Sequence, residues 1–175
     1  MPIDLRQLIR SVPDFPKPGI IFRDITPLLA DSAALDQAVS QLAKPYRNRN
    51  VDLVAAIESR GFIFGAAVAC QLHAGFIPIR KPGKLPAATT KASYQLEYGS
   101  DAIEIHTDAI SAGQRVLLVD DLLATGGTMA AACQLVEGLG GEIVGIAFVI
   151  ELAFLHGRAK LADHGILSLI TYDTE

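Results

Sequence analysis

The segment VLLVDDLLATGGT, residues 116–128, decides the fold class of this chain. Four aliphatic residues in succession favour a buried strand, and two adjacent aspartates end that run. After a loop of small residues, a helical pattern extends over 128–139 and stops at Gly140-Gly141. Within it, apolar residues recur at spacings of three and four, namely Met129, Ala132, Cys133 and Val136. Strand, loop and helix in this order predict one crossover unit of an α/β fold.

Short apolar runs rich in β-branched residues predict further strands. They cover residues 51–57, 76–80, 102–105, 115–121, 142–150 and 166–172. Nearly continuous hydrophobicity is typical of parallel strands that are covered on both faces. We therefore expect an α/β fold with a mainly parallel twisted sheet flanked by helices.

Length and charge restrict the class of protein. With 175 residues, half of them hydrophobic, the chain suits one domain spanning 1–175 better than two. A net charge of −4 gives no excess of basic surface, so no nucleic-acid partner is expected. Cys70 and Cys133 both lie in apolar helical patterns, which favours reduced thiols packed in the core. No signal peptide or membrane-spanning run is present in the sequence, so we expect no membrane association and a cytoplasmic location.

Two regions lack the regular apolar patterns. Prolines crowd residues 13–19, which predicts an irregular opening that is partly accessible to a ligand. Residues 84–100 are rich in Thr, Ser, Lys, Tyr and Gly, which predicts a long loop away from the sheet. Long loops of this kind are usually lids or binding loops.

The loop after the aspartates has the composition of an anion site. Small residues let backbone N–H groups converge, hydroxyls add donors, and the helix N-terminus adds partial positive charge. The predicted phosphate cradle consists of Ala124, Thr125, Gly126, Gly127 and Thr128. The chain has neither the Gly-x-x-x-x-Gly-Lys pattern of nucleoside triphosphate loops nor the Gly-x-Gly-x-x-Gly pattern of dinucleotide sites. The sequence therefore argues against ATP and NAD.

Asp120 and Asp121 require compensation, because adjacent carboxylates about 5 Å apart repel by roughly 3 kcal/mol at an effective dielectric constant of 20. Two vicinal hydroxyls of a ribose would donate to them at matching spacing. A nearby divalent cation would lower the repulsion further. One segment is thus predicted to hold both a sugar and its phosphate.

Residues 116–128 also resemble the phosphoribosyl diphosphate (PRPP) binding signature of the type I phosphoribosyltransferases. Four further segments are similar to the adenine phosphoribosyltransferases within that family. In chain order they are FPKPGIIFRDI (15–25), ESRGF (58–62), RKPGKLP (80–86) and YQLEYG (94–99). The resemblance spans nearly the whole chain and implies the type I fold with a small N-terminal hood, to which residues 1–30 contribute.

The resemblance implies specific positions for the sugar and its phosphates. Asp120 and Asp121 would hold the ribose hydroxyls, and residues 124–128 would hold the 5′-phosphate of PRPP or AMP. Ser59 and Arg60 would bind pyrophosphate, with a cis peptide before Ser59. Lys84 would reach the diphosphate, and Arg80 is expected to do so in the neighbouring subunit of a homodimer. The family varies where Glu58 stands, so that residue is given no role.

The base would lie under the hood. The resemblance places Phe22 against the ring of adenine, with main-chain groups of Ile21 and Arg23 at its edge and Leu152 on the other face. On the predicted lid, Glu97 is implied as a carboxylate near the base and Tyr98 as a group near the reacting diphosphate. These two residues are the predicted catalytic pair.

The implied reaction joins adenine and PRPP to give AMP and pyrophosphate, with Mg2+ held largely through PRPP and water. Two alternatives remain open. The diphosphate signature does not specify the base, so xanthine, hypoxanthine or orotate would also fit the sugar site, although the hood favours adenine. A PRPP-sensing regulator would normally carry a DNA-binding module, which the acidic balance and the lack of a basic helix disfavour.

Overall fold

The structure is a computed structural model that describes residues 3–95 and 99–175. Within these residues the chain forms four α-helices and nine strands. In chain order they are β1 (Arg10–Pro13), β2 (Ile21–Asp24), α1 (Thr26–Ala30), α2 (Ser32–Ala43), β3 (Leu53–Ile57), α3 (Arg60–Leu72), β4 (Gly75–Ile79), β5 (Thr89–Gln95), β6 (Ser100–His106), β7 (Arg115–Leu123), α4 (Gly127–Gly138), β8 (Glu142–Leu152) and β9 (Ile166–Tyr172). Short 3-10 turns cover Leu5–Leu8, Lys44–Tyr46, Ala153–Leu155 and Gly157–Leu161.

The central sheet has five strands in the order β4-β3-β7-β8-β9, and every neighbouring pair is parallel. The helix α3 connects β3 to β4, and α4 connects β7 to β8. The predicted α/β class with a mainly parallel sheet is confirmed. The predicted helix over 128–139 begins one residue earlier, at Gly127, and the left-handed Gly140 (φ +85°) follows its end.

Alternation along the strands builds a core on each face of the sheet. On β7, Leu117 and Val119 pack with residues of α2 and α3, whereas Val116 and Leu118 pack with residues of α4. All four side chains are fully buried. Burial on both faces explains why this strand has no polar alternation until Asp120.

The segment predicted as a long loop over 84–100 contains the strand β5, so that expectation was wrong in part. β5 pairs antiparallel with β6 in a separate two-stranded sheet, with Ala92 opposite Ile103. Ala92, Ile103 and Ile105 are buried in the core that also contains α4 residues. The strand escaped prediction because its inward positions, Thr90, Ala92 and Tyr94, are small or partly polar and give little apolar contrast.

The proline-rich opening is also more regular than predicted. β1 and β2 form an antiparallel pair in which Val12 lies opposite Phe22. The turn between them contains a cis Phe15-Pro16 peptide, and the Asp14 side chain accepts a hydrogen bond of 2.8 Å from the Gly19 amide. Proline is compatible with such short edge strands because an outward-facing amide there has no strand partner. This paired segment is the hood.

The two cysteines differ in exposure. Cys133 is buried as predicted, but Cys70 on α3 is exposed, so its prediction as a core residue was wrong.

In the described part of the chain, none of the helices has both the length and the apolarity that crossing a membrane requires.

Candidate active site

The candidate site lies where β3 and β7 end, at the same edge of the parallel sheet. β3 leads directly into Glu58, Ser59 and α3, and β7 carries Asp120 and Asp121. The strand β7 continues two residues past the aspartates, to Leu123, before the loop begins. Crevices outside the carboxyl ends of parallel strands are the usual ligand sites of open α/β sheets.

The predicted phosphate cradle is a small cavity at the N-terminus of α4. Its volume is about 90 Å³, and its lining comprises Asp120 and residues 122–129. Gly126 precedes the helix with φ +79°, a left-handed conformation that side chains disfavour. Gly126 has no side chain to cap the helix, and the first turn of α4 contains no acidic residue. Its backbone N–H groups can therefore donate to an anion.

The two aspartates have different surroundings. Asp121 is buried, and its Oδ2 lies 2.8 Å from Arg60 Nε. Asp120 is half-buried, and its Oδ1 accepts a hydrogen bond of 2.8 Å from the Asp121 amide. Burial raises the pKa of Asp120 well above 3.8, and the charge of Asp121 raises it further. Burial also raises the pKa of Asp121, although Arg60 opposes that shift.

Arg60 connects three segments that the sequence analysis treated separately. It stands at the first position of α3, next to the cis Glu58-Ser59 peptide that was predicted. Its guanidinium is paired with Asp121 at the predicted ribose site. The same group lies 5.1 Å from the centre of the Phe22 ring in the hood, within the range of a cation–π contact. Predicted ribose, pyrophosphate and base residues thus meet at one side chain.

Glu58 organises a second cluster of cations. Lys84 Nζ lies 2.6 Å from Glu58 Oε2, and the Lys81 amide donates to Glu58 Oε1 at 2.7 Å. Arg80 Nε lies 3.3 Å from Oε1 without hydrogen-bond alignment. Burial alone would raise the pKa of Glu58, but the hydrogen bonds from Lys84 and the Lys81 amide outweigh it and hold that pKa below 4.5. Glu58 therefore gathers two of the predicted pyrophosphate ligands one peptide bond away from Ser59.

The hood residues Ile21, Phe22 and Arg23 lie on β2, and all three are half-buried. The rings of Phe22 and Phe15 pack edge to face, with centroids 5.2 Å apart. Arg23 is anchored to the central sheet, because its guanidinium lies 4.0 Å from the centre of the Tyr172 ring on β9. Arg6 lies 4.8 Å from the same ring. These contacts hold the hood against the end of the sheet.

Some predicted site residues are not joined to this cluster. Leu152 is half-buried at the end of β8, opposite Tyr172 in the pairing of β8 with β9. Ser59 is exposed at the start of α3. Glu97 and Tyr98, the predicted catalytic pair, lie outside the described residues.

One residue of the site was missed by the sequence analysis. A Cβ added to Gly61 would lie 2.6 Å from Asp120 Oδ1, so any other residue here would displace that carboxylate from its observed position. The sequence did contain an indication, because glycine inside a helix costs about 1 kcal/mol of stability relative to alanine. A glycine in the first turn of a helix therefore suggests a close contact at that position.

No preformed metal site is visible among residues 3–95 and 99–175, where no three His, Cys, Asp or Glu side chains are grouped to hold an ion. The aspartates nevertheless supply carboxylate oxygens, which are the ligands that hard divalent cations prefer. Asp120 in particular has no cation within salt-bridge distance in the described part of the chain. The residues therefore fit a magnesium ion that is held partly by a bound substrate.

Known proteins of similar sequence and structure are phosphoribosyltransferases. A family model described as a phosphoribosyl transferase domain matches residues 28–166. An adenine phosphoribosyltransferase from Acidobacterium capsulatum is 58% identical over 168 residues, which are 96% of this chain and 93% of that protein. The crystal structure of the adenine phosphoribosyltransferase from Thermoanaerobacter pseudethanolicus superposes with a TM-score of 0.94 and 54% identity, covering 97% and 98% of the two chains. The enzyme of that name from Saccharomyces cerevisiae, crystallised with an imino-altritol bisphosphate and adenine, gives 0.90 and 40% over 95% and 96%.

Proposed function

This chain belongs to the phosphoribosyltransferase family and, within it, to the adenine phosphoribosyltransferases, and we propose that the groups around Arg60 carry its reaction. The enzyme transfers the phosphoribosyl group of PRPP to adenine, giving AMP and pyrophosphate. The single observation that supports the assignment of residues is the position of Arg60, 2.8 Å from Asp121 and 5.1 Å from the centre of Phe22.

The ribose 5-phosphate part of PRPP binds along β7 and the loop that follows it. Backbone N–H groups of residues 124–128, with the hydroxyls of Thr125 and Thr128, donate to the 5′-phosphate. The carboxylates of Asp120 and Asp121 accept from the ribose hydroxyls, which relieves the repulsion between them. This division places the anomeric carbon between the aspartates and Arg60.

Pyrophosphate leaves toward Ser59, Arg60, Lys84 and Arg80. The three cations of this set are each paired with a carboxylate, Arg60 with Asp121 and the other two with Glu58. The pyrophosphate of PRPP replaces those partners. Glu58 thus holds Lys84 near Ser59 before the substrate arrives, so that cation needs little rearrangement to stabilise the leaving anion, and it orients Arg80 for the neighbouring subunit's site.

Adenine stacks on Phe22, with the main chain of Ile21 and Arg23 at its edge and Leu152 on its other face. The ring nitrogen N9 attacks the anomeric carbon while the bond from that carbon to pyrophosphate breaks, through a transition state with oxocarbenium character. Glu97 accepts the N9 proton, directly or through water, and Tyr98 lies near the reacting diphosphate. The hairpin of β5 and β6 excludes water when it closes over the site, which suppresses hydrolysis.

Four further assignments complete the proposal. Asp120 and Asp121 would lie near a magnesium ion held through PRPP and water, which would supply positive charge to stabilise the departing pyrophosphate. The chain works as one domain, supported by cores on both faces of a single sheet. It forms a homodimer in which Arg80 serves the neighbouring subunit's site. Its location is cytoplasmic, which suits the two unpaired cysteines.

The function and the role of Arg60 are tested separately. Pyrophosphate release should be measured with adenine, hypoxanthine, guanine, xanthine and orotate in parallel, and only adenine is expected to support rapid turnover. Arg60→Gln should then raise the KM for PRPP and lower kcat, whereas Arg47→Gln, which changes an arginine on the connection before β3, should do neither. Equal rates for several bases would contradict the adenine assignment, and a normal Arg60→Gln enzyme would contradict the site.

A further inference from the structure

The loop that forms the phosphate cradle is in direct backbone contact with a distant part of the chain. An ideal Cβ on Gly126 would overlap the carbonyl group of Gly157, whose carbonyl carbon would be only 3.1 Å away. Reciprocally, a Cβ on Gly157 would overlap the Ala124 carbonyl oxygen and lie 3.1 Å from the Gly126 amide nitrogen. Two glycines therefore allow two main chains to touch behind the cradle.

The conformation of Gly157 does not explain why this position is glycine. Gly126 has a left-handed φ of +79°, which alone favours glycine, whereas Gly157 is not among the glycines with positive φ. Its requirement comes from the close approach to residues 124–126. The contact between the two segments is therefore the feature that Gly157 serves.

An ion pair between the buried Glu151 and the half-exposed Arg158 holds the chain next to Gly157. Arg158 follows it directly and donates to Glu151 through Nε at 2.6 Å and Nη2 at 2.7 Å. The Glu151 side chain is only 5% exposed, and its pKa is lowered chiefly by the hydrogen bonds from Arg158. Arg158 also reaches Ser168 Oγ at 3.3 Å and the Ile166 carbonyl at 3.4 Å, which ties the segment to β9. The pair thus connects the end of β8, the segment after it and the edge strand.

An ion pair of this kind is better suited to setting geometry than to adding stability. The Arg158 side chain is 48% exposed, so solvent screens the attraction and the net contribution of the pair to stability is small. The fork of a guanidinium, by contrast, restricts both the distance and the orientation of a carboxylate. With Glu151 at the end of β8 and Arg158 next to Gly157, that restriction passes directly to the peptide that touches the cradle.

We propose that Gly157, held in place by the Glu151–Arg158 pair, sets the shape of the phosphate loop, and that Glu151 and Arg158 are positioning residues for the 5′-phosphate. The proposal rests on the proposed role of residues 124–128. Backbone donors bind a phosphate only when they converge on it, and a displacement of about 1 Å in such a site can cost on the order of a hundredfold. Moving Gly157 outward would release the loop without touching any residue that contacts the substrate.

The test compares Gly157→Ala with Gly165→Ala. Gly165 lies on the same connection to β9, and a Cβ there would meet nothing within 4 Å, so this variant is a matched control. Dissociation constants of AMP and adenosine are measured by calorimetry, since the two differ only in the phosphate. Gly157→Ala should weaken AMP by about tenfold or more and raise the KM for PRPP similarly, while adenosine and the control change little.

Arg158→Lys and Glu151→Gln provide a milder version, because each preserves the side-chain volume approximately but removes the two-pronged charged pairing. Both should shift AMP affinity more than adenosine affinity, and they decide the question if Gly157→Ala does not fold. Parent-like AMP binding in a folded Gly157→Ala protein, or equal losses for AMP and adenosine in these variants, would overturn the proposal.

A measurement on the parent enzyme separates this proposal from the one on which it rests. Saturating AMP should protect the backbone amides of residues 125–128 from hydrogen exchange. Absence of protection in the parent would refute the cradle itself. Protection in the parent that persists unchanged in Gly157→Ala would refute only the role of Gly157.

Discussion

Replacing Asp120 by asparagine should make the substrate-free enzyme more stable and much less active. Asparagine has nearly the same shape, and its carbonyl oxygen can still accept the hydrogen bond from the Asp121 amide. What the substitution removes is a negative charge that is half-buried beside the charge of Asp121. The same charge is the proposed acceptor for a ribose hydroxyl, so stability and activity should move in opposite directions.

The size of the stability gain follows from the surroundings of the pair. Adjacent carboxylates about 5 Å apart repel by roughly 3 kcal/mol at an effective dielectric constant of 20, and partial exposure of Asp120 reduces this. A gain of about 1 to 3 kcal/mol is expected. For a chain of this length each kcal/mol raises Tm by about 2 to 4 °C. Loss of a charged hydrogen bond to ribose, worth about 1.5 to 3 kcal/mol, should lower kcat/KM for PRPP by about tenfold to a hundredfold.

Asp121→Asn is the matched comparison. The charge of Asp121 is partly compensated by Arg60 at 2.8 Å, and removing it leaves that guanidinium without its partner. We therefore expect no gain in stability from Asp121→Asn, although activity should fall. If Asp120→Asn raises Tm and the neighbouring, isosteric Asp121→Asn does not, a general effect of asparagine on the strand is excluded.

The gain from Asp120→Asn should also depend on pH. Both carboxyl groups have folded-state pKa values raised above the usual 3.8. Below that pH they are neutral in the folded and unfolded states, so the parent carries no penalty. As the pH rises through the raised folded-state pKa values, the parent loses stability relative to the variant. The gain should therefore be small near pH 4 and larger at neutral pH.

Calorimetric Tm values at both pH values, measured without substrate or magnesium, test this reasoning. Steady-state rates with PRPP varied at saturating adenine give the loss of activity. Equal Tm values for parent and Asp120→Asn at neutral pH would refute the electrostatic account. A stabilised Asp120→Asn enzyme with normal kinetics would refute the ribose assignment while leaving the electrostatics intact.

Three other substitutions test the remaining parts of the site. Glu97→Gln should lower kcat by about a hundredfold or more with little change in substrate affinity if Glu97 accepts the proton; more than about half of the parent kcat, with chemistry limiting, would remove it from the mechanism. Phe22→Leu should raise the KM for adenine by about threefold to tenfold through loss of ring stacking, with a smaller change in the KM for PRPP. Steady-state kinetics with each substrate varied measure both KM values, and a larger change for PRPP than for adenine would contradict the stacking role. Glu58→Gln should destabilise the folded protein at neutral pH, because a carboxylate whose pKa is lowered in the folded state stabilises the fold above about pH 4.5. Urea titrations should show the difference in unfolding free energy between parent and variant vanishing as the pH falls through that lowered pKa. A Glu58→Gln effect that grows toward low pH would contradict this assignment.

The sequence predicted most reliably what depends on hydrophobic periodicity. The strands of the central sheet and the helix α4 were placed within a few residues, because burial on both faces leaves nearly continuous apolar runs. The strand β6 was predicted over 102–105, but its partner β5 was not, since Thr90, Ala92 and Tyr94 occupy the inward positions of β5 and give no clear alternation. Pairing with β6 and packing against α4 stabilise that strand, and neither partner is encoded locally.

The site was predictable where function requires an unusual local composition. Adjacent aspartates before a glycine loop are hard to explain otherwise, and that pattern led to the cradle and the ribose acceptors. The convergence of Phe22 and Asp121 on Arg60 was not predictable, because residues about a hundred positions apart meet only in the folded sheet. The need for Gly61 and Gly157 likewise comes from close approaches between distant segments, to the Asp120 carboxylate and to the main chain of the cradle loop respectively.

A cradle built from main-chain amides has a consequence for how this enzyme can change. Amides neither titrate nor rotate about side-chain bonds, so the proposed donors to the 5′-phosphate keep their charge state at any pH and should tolerate little displacement of the backbone. The base, by contrast, is proposed to rest on exchangeable side chains such as Phe22 and Leu152. Substitutions in the hood and at the end of β8 should therefore be able to change the nucleobase that the enzyme accepts. The affinity for the sugar phosphate should stay the same in such variants.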